Sequence, residues 1–194
     1  MLPVEKRIRT KAQLKEWLKI EKSLYKTRYP FLEYWLGATE KAILWKHQVF
    51  LRYTEYHRNA GHKLRAAYYW FRARRIQIKY LMAIPPNTCE VGLHIMHLGL
   101  VRINPDAQIG KNVSLHVNTV LAAKGTSSVS PILEEGVVIG VGSVVVGGVH
   151  IAKNVAVGAN SVVTKDITEE NIAVAGVPAQ KVSSHGRLSW KKNN

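Results

Sequence analysis

The chain has 194 residues, a formal charge of +15 and 46% hydrophobic residues. That length suits one domain or two small ones, and the apolar share is enough for a core, which excludes wholesale disorder. The single cysteine, Cys89, excludes a disulfide scaffold and a four-cysteine zinc site, and it suits a reducing cytosol.

The opening Met1-Leu-Pro-Val-Glu-Lys-Arg has no apolar run of the kind a signal peptide needs. The longest uncharged stretch, Gly136 to Ala152, is broken by glycine every few residues and is too short for a membrane span. The expected location is therefore cytoplasmic. Residues 1–82 carry 19 Lys/Arg against 6 Asp/Glu, and residues 83–194 carry 9 against 7. Fifteen of the 16 aromatic residues also precede residue 81. The positive charge belongs to the first part and points to an anionic partner or surface there. The boundaries drawn from this are a basic, aromatic-rich helical region at 1–82, a second domain at 83–183 and a tail at 184–194.

In chain order, Thr10 with Gln13 has the form of a capping box, and Leu14, Trp17, Leu18 and Tyr25 recur on one face of a first helix. Tyr29-Pro30 breaks it. The pattern predicts a second helix from Thr39 to Asn59, ended by Asn59-Ala-Gly61, and a third from about His62 to Leu81. Arg65, Arg72, Arg75 and Lys79 form a basic stripe along the third.

From Val91 the pattern changes. An aliphatic residue recurs every six positions, from Val91 to Leu121 and again from Leu133 to Val163, often followed by Gly, Asn or Ala. A second small or apolar residue falls four positions after each. A period of six fits neither a helix nor a simple strand alternation. It is the spacing of a parallel β-solenoid, whose narrow interior takes Val, Ile and Leu but not Trp. A valine-rich parallel sheet would need crossover helices, and no helical stretch lies between the steps. His97 occupies a slot of this register that elsewhere is aliphatic. The stretch Ala123–Ser130 departs from the pattern and is expected to loop out.

The run Val157-Gly-Ala-Asn-Ser-Val-Val-Thr-Lys-Asp166, followed by Ala175-Gly-Val-Pro-Ala179, resembles the end of the repeat in the hexapeptide-repeat acyltransferases. Gly92-Leu-His-Ile-Met-His-Leu-Gly99, with Ile103-Asn104 and Ile109-Gly-Lys-Asn112, is similar to the serine acetyltransferase branch and to capsular or exopolysaccharide O-acetyltransferases. The likeness covers about residues 84–183. It implies an α+β chain in which basic N-terminal helices precede a left-handed parallel β-helix. It further implies a homotrimer, acetyl-coenzyme A as co-substrate and no metal.

A hydroxyl acceptor needs a base beside it, and histidine is the usual one. His97 matches the catalytic histidine of the motif; the alternative is a hydrogen-bonded structural histidine. His116, one coil on, is the second candidate, against an exposed turn role. Asn118 is a candidate for holding the acceptor, against a turn role. His94 and His97 form His-x-x-His, weak evidence for zinc without a third ligand. His150 is read as surface and Cys89 as inert packing. Carried over from the family, coenzyme A contacts fall at Gly140, Val141, Gly158, Ala159, Thr164 and Lys165, with Lys181 as a further phosphate partner; each glycine is otherwise a repeat corner.

The chain departs from the serine acetyltransferases in three places. Met96 stands where the family has an aspartate, and Ser130 where it has a histidine. The upstream aspartate that orients the base falls near Met82 or Ala83. Glu90 is the weak substitute. These losses favour a sugar hydroxyl of a capsular or exopolysaccharide, or of its precursor, as acceptor. The alternatives are serine O-acetyltransfer in cysteine synthesis, and a non-catalytic repeat scaffold with membrane-binding helices. The basic helices have two readings: peripheral contact with an anionic membrane, where lipid-linked saccharides are found, or a packed cap whose lysines are solvated or bind acidic glycan. Nothing in the sequence carries a nucleic-acid motif.

Overall fold

A computed structural model describes residues 1–26, 33, 39–125 and 129–187. The expected break at Tyr29-Pro30 and most of the tail lie outside them. Helix α1 (Lys11–Lys22) starts at a complete capping box, in which the Thr10 hydroxyl accepts from the Gln13 N–H while Gln13 reaches back to the Thr10 N–H. It runs into a single 3-10 turn, Ser23–Tyr25, that buries the Tyr25 ring. Helix α2 (Glu40–Asn59) is capped by the Thr39 hydroxyl, and α3 (Lys63–Lys79) folds back against it after a turn at Gly61. The second and third match the sequence expectation to within two residues, whereas the first stops at Lys22, short of the Tyr25 expected on its face, which the 3-10 turn carries instead.

The remaining described chain winds into a three-faced parallel coil. One face stacks Met82–Ala83, Val101–Ile103, Thr119–Ala122, Val144–Val146 and Val162–Val163. A second stacks Gln108–Ile109, Ile132–Leu133 and His150–Ile151. The third stacks His94–Ile95, Ser114–Leu115, Val138–Ile139, Ala156–Val157 and Ala173–Ala175, and an antiparallel strand, Gln180–Ser183, closes it. The six-residue slots from Ile103 to Val163 point inward and are buried, as are their companions four positions on, among them Ala107, Thr119, Ser143 and Ser161. The polar members bond to the coil itself: the Ser143 hydroxyl donates to the Gly158 carbonyl at 2.7 Å.

Each regular coil is three hexapeptides long, one per face, as the pairing of Val101 with Thr119 and of Val138 with Ala156 shows. Two coils differ. Gln108 pairs with Ile132 and Val120 with Val144, one hexapeptide further along than the regular coil, so six extra residues fall in the chain between Ala122 and Ile132. Ile95 pairs with Leu115, two positions further along than the regular coil. Because the next face returns to the regular step, two extra residues sit in the corner between Ile95 and Val101.

A buried ionic cluster joins the helices to the first coil. Arg52 of α2 is fully buried, and its guanidinium donates to Glu21 of α1 at 2.7 and 3.1 Å and to Glu55 at 2.7 Å. It also donates to the carbonyls of Cys89 and Glu90, both at 2.8 Å. Glu21 in turn accepts from the Gly92 N–H, and Glu55 from the Asn87 N–H. Both carboxylates face the one guanidinium, and each of its nitrogens donates to an acceptor, the condition under which buried ions are tolerated. The helices are thereby fixed in register with the coil.

Candidate active site

The extra pair of residues decides where His97 lies. The inward slots of the first coil are Cys89 and Ile95, so the register read through Val91 and His97 is two residues out of phase there. His97 is therefore not in an apolar slot. It stands on the bulged corner with its side chain 56% exposed. Gly99 lets this corner close, because a Cβ there would overlap the Val117 side chain.

His116 lies on the next coil. The Met96 N–H donates to the Leu115 carbonyl at 3.0 Å, which stacks His116 on Met96 and places His97 one position along. The two imidazole centroids are 6.4 Å apart. Burial, and then the nearness of His97, push the His116 pKa down. His94 projects from the strand His94–Ile95 into the same neighbourhood, edge-on to Tyr25 at 5.5 Å. Burial first, then His116 and Arg187, push His94 down to about 4. Both rings are thus neutral near pH 7, and a neutral imidazole is the form that accepts a proton. Among the described residues no group of three or more His, Cys, Asp or Glu has metal-binding geometry.

The carboxylate facing His97 comes from the helices. Glu40, the first residue of α2, places Oε2 3.3 Å from His97 Nδ1, and its Oε1 accepts the Leu98 N–H at 2.5 Å. A carboxylate on Nδ1 orients the ring so that Nε2 faces outward as the acceptor. Sequence reasoning missed Glu40, which is remote from His97 along the chain, and the only local signal was its place after the Thr39 cap. Glu90, offered instead, is engaged elsewhere: it is largely buried and pairs with Lys6 at 3.0 Å.

Asn118 adopts a left-handed turn with φ 62°, as do Asn112, Asn154 and Asn160. Its conformation is explained by the turn, with the side chain free to face solvent. Gly140 and Gly158 follow His116 along one prism edge, where each N–H donates to the coil above at 2.8 Å. At Gly140 a Cβ would lie 2.7 Å from the Val157 carbonyl oxygen, so coil stacking alone requires glycine. Val141 and Ala159 are exposed beside this edge. Thr164 and Lys165 are exposed on a different edge, the one that follows Val163. One chain does not bring the six together. Lys181 pairs with Glu169 at 2.6 Å, and His150 with Glu134 at 2.9 Å. Cys89 is buried, and burial pushes its thiol up to about 12, so it is inert.

Comparison with solved structures decides the fold. The serine acetyltransferase of Brucella abortus superposes with a TM-score of 0.69 at 21% identity, covering 91% of this chain and 72% of that one. Its complex with coenzyme A gives 0.62 at 21% identity, covering 91% and 70%. The fold is that of the hexapeptide-repeat acyltransferases. The helices followed by a left-handed β-helix, expected from the sequence, are both present. No family model matches the chain. Among curated proteins, the serine acetyltransferase of Haemophilus influenzae is 32% identical over 136 residues, 68% of this chain and 49% of that protein. The bifunctional protein GlmU of Synechococcus is 30% identical over 118 residues, 60% and 24%. The chain thus spans half or less of the length of these two relatives.

Proposed function

We propose that the chain is an acetyl-coenzyme A-dependent O-acetyltransferase, acting as a trimer, in which His97 is the general base. The observation that carries this is the outward imidazole of His97 held by Glu40 on the same corner as His116. In this reading His97 Nε2 takes the proton of the acceptor hydroxyl as its oxygen attacks the thioester carbonyl. The new C–O bond forms, the C–S bond breaks, and the leaving thiolate receives the proton from His97. His116, neutral and one coil away, lies close enough to orient the acceptor. The two prism edges that carry the cofactor candidates can line one groove only if they come from neighbouring copies. That arrangement supports the trimer.

For the acceptor, the serine acetyltransferases among the relatives support serine over the sugar hydroxyl. The sugar reading keeps one specific support. Met96 replaces the carboxylate of the motif, and Glu40 is already engaged by His97 and the Leu98 N–H, which leaves little to hold an ammonium group. Thiol release from acetyl-coenzyme A by the intact chain, with serine and with a panel of saccharides, separates the two. Release with serine alone fixes serine as acceptor, and release with saccharides alone fixes a sugar. Release with neither acceptor overturns the proposal.

A further inference from the structure

Helix α3 carries a face that the fold leaves uncovered. Its inner face is fixed: Ala73 and Gln77 are buried, and the Gln77 amide donates to the Ile84 carbonyl at 3.0 Å. The helix cannot rotate to hide the opposite side. There Leu64, Phe71 and Ile78, spaced by seven, are 89%, 56% and 62% exposed, with Tyr68 exposed along the same stripe and Leu81 exposed just beyond the end of the helix. Arg65, Arg72 and Lys79, also spaced by seven, run beside it, and Arg75 lies within it. The cations lie level with the rings: Arg72 sits 5.8 Å from the Tyr68 centroid and Arg75 5.9 Å from that of Phe71.

No acidic residue occurs in α3, and among the described residues none of its cations takes part in an ion pair. A second copy of this face would set cation against cation. An acidic protein would satisfy the charges and leave the apolar stripe to be matched separately. An anionic lipid surface meets both needs, since apolar and aromatic side chains enter the acyl boundary while Arg and Lys reach the headgroups. No described helix is long and apolar enough to cross a membrane. We propose that the outer face of α3 is a docking surface for an anionic membrane, on which the helix lies in the plane of the interface.

The test is flotation of the intact chain with phosphatidylcholine vesicles and with vesicles in which about a third of the lipid is phosphatidylglycerol, at low and high salt. Binding is expected only to the anionic vesicles, weaker in high salt. Arg65→Gln, Arg72→Gln and Arg75→Gln together should weaken it roughly a hundredfold, at about fivefold per cation. Leu64→Ser with Phe71→Ser leaves the charge unchanged and should also abolish it, which separates docking from bulk attraction. All five side chains are exposed, so the folded state, followed by circular dichroism, should be unaffected. Equal binding to neutral vesicles would overturn the proposal. So would binding that survives both variants, or sedimentation showing that the serine variant dissociates an assembly in which this face meets another copy.

Discussion

Removing the guanidinium of Arg52 should unlock the helices from the coil. In Arg52→Met, a side chain of similar length, Glu21 and Glu55 lose their counter-ion while almost fully buried. Each keeps one backbone donor, the N–H of Gly92 or Asn87. The carbonyls of Cys89 and Glu90 lose a charged donor at 2.8 Å. Breaking a buried pair from one side costs about 3–5 kcal/mol. Two carboxylates share this cation, so the upper part of that range applies, a large fraction of a domain's stability. Urea denaturation followed by circular dichroism measures it. The loss should shrink as pH falls and the two carboxyls take up protons, and adding Glu21→Gln and Glu55→Gln should recover much of it. A loss below about 1 kcal/mol, or one independent of pH, would refute the assignment of Arg52 as the pin.

Three further outcomes follow from the same geometry. Gly140→Ala drives a methyl into the backbone of the next coil and should cost about 1–3 kcal/mol. Gly61→Ala, with nothing within 4 Å of the new Cβ but φ at +77°, should cost about 1 kcal/mol. If the two melt alike, stacking is not what demands glycine at 140. His47, fully buried beside Gln77 at 3.0 Å, is held down to about 4 by burial and then by Arg52, from an ordinary 6.5. Between those values the unfolded chain binds more protons, so stability rises with pH there. About 3 kcal/mol present above pH 6.5 is lost as pH falls to 4. Thermal melts of His47→Leu should show a smaller acid loss than the parent, and parallel losses would contradict this. Glu40→Gln keeps the acceptor for the Leu98 N–H and removes the charge. The pair is half-exposed, so kcat should fall only about fivefold, equivalent to roughly 1 kcal/mol, with KM unchanged. An unchanged kcat would remove Glu40 as a positioning residue.

The six-residue spacing was legible because each inward position meets the same narrow interior, coil after coil. From Ile103 to Val163 the slots read from the sequence are the buried ones. The helices were legible from caps and turns such as Thr10, Thr39 and Gly61. The first coil was not, because two extra residues in the Ile95–Val101 corner have no signature in hydrophobicity alone. Counting sixes through them put His97 on the wrong side of the wall. That His97 and His116 should meet was still readable: a regular coil of three hexapeptides and the observed, slightly longer one bring the same corners together. Glu40 and Arg52 were out of reach, since their roles come from docking helices onto a coil that lies far along the chain from them. The six cofactor candidates were carried over from a motif, and a motif says nothing of which prism edge each residue occupies.

The central claim is that the exposed imidazole of residue 97 does the proton transfer. It is tested most directly by single-turnover thiol release from acetyl-coenzyme A with the productive acceptor, comparing the parent with a His97→Ala chain of equal helicity and melting temperature. The account predicts a rate lower by about 10²–10⁴-fold, with coenzyme A binding retained. Equal rates in the two chains would contradict it.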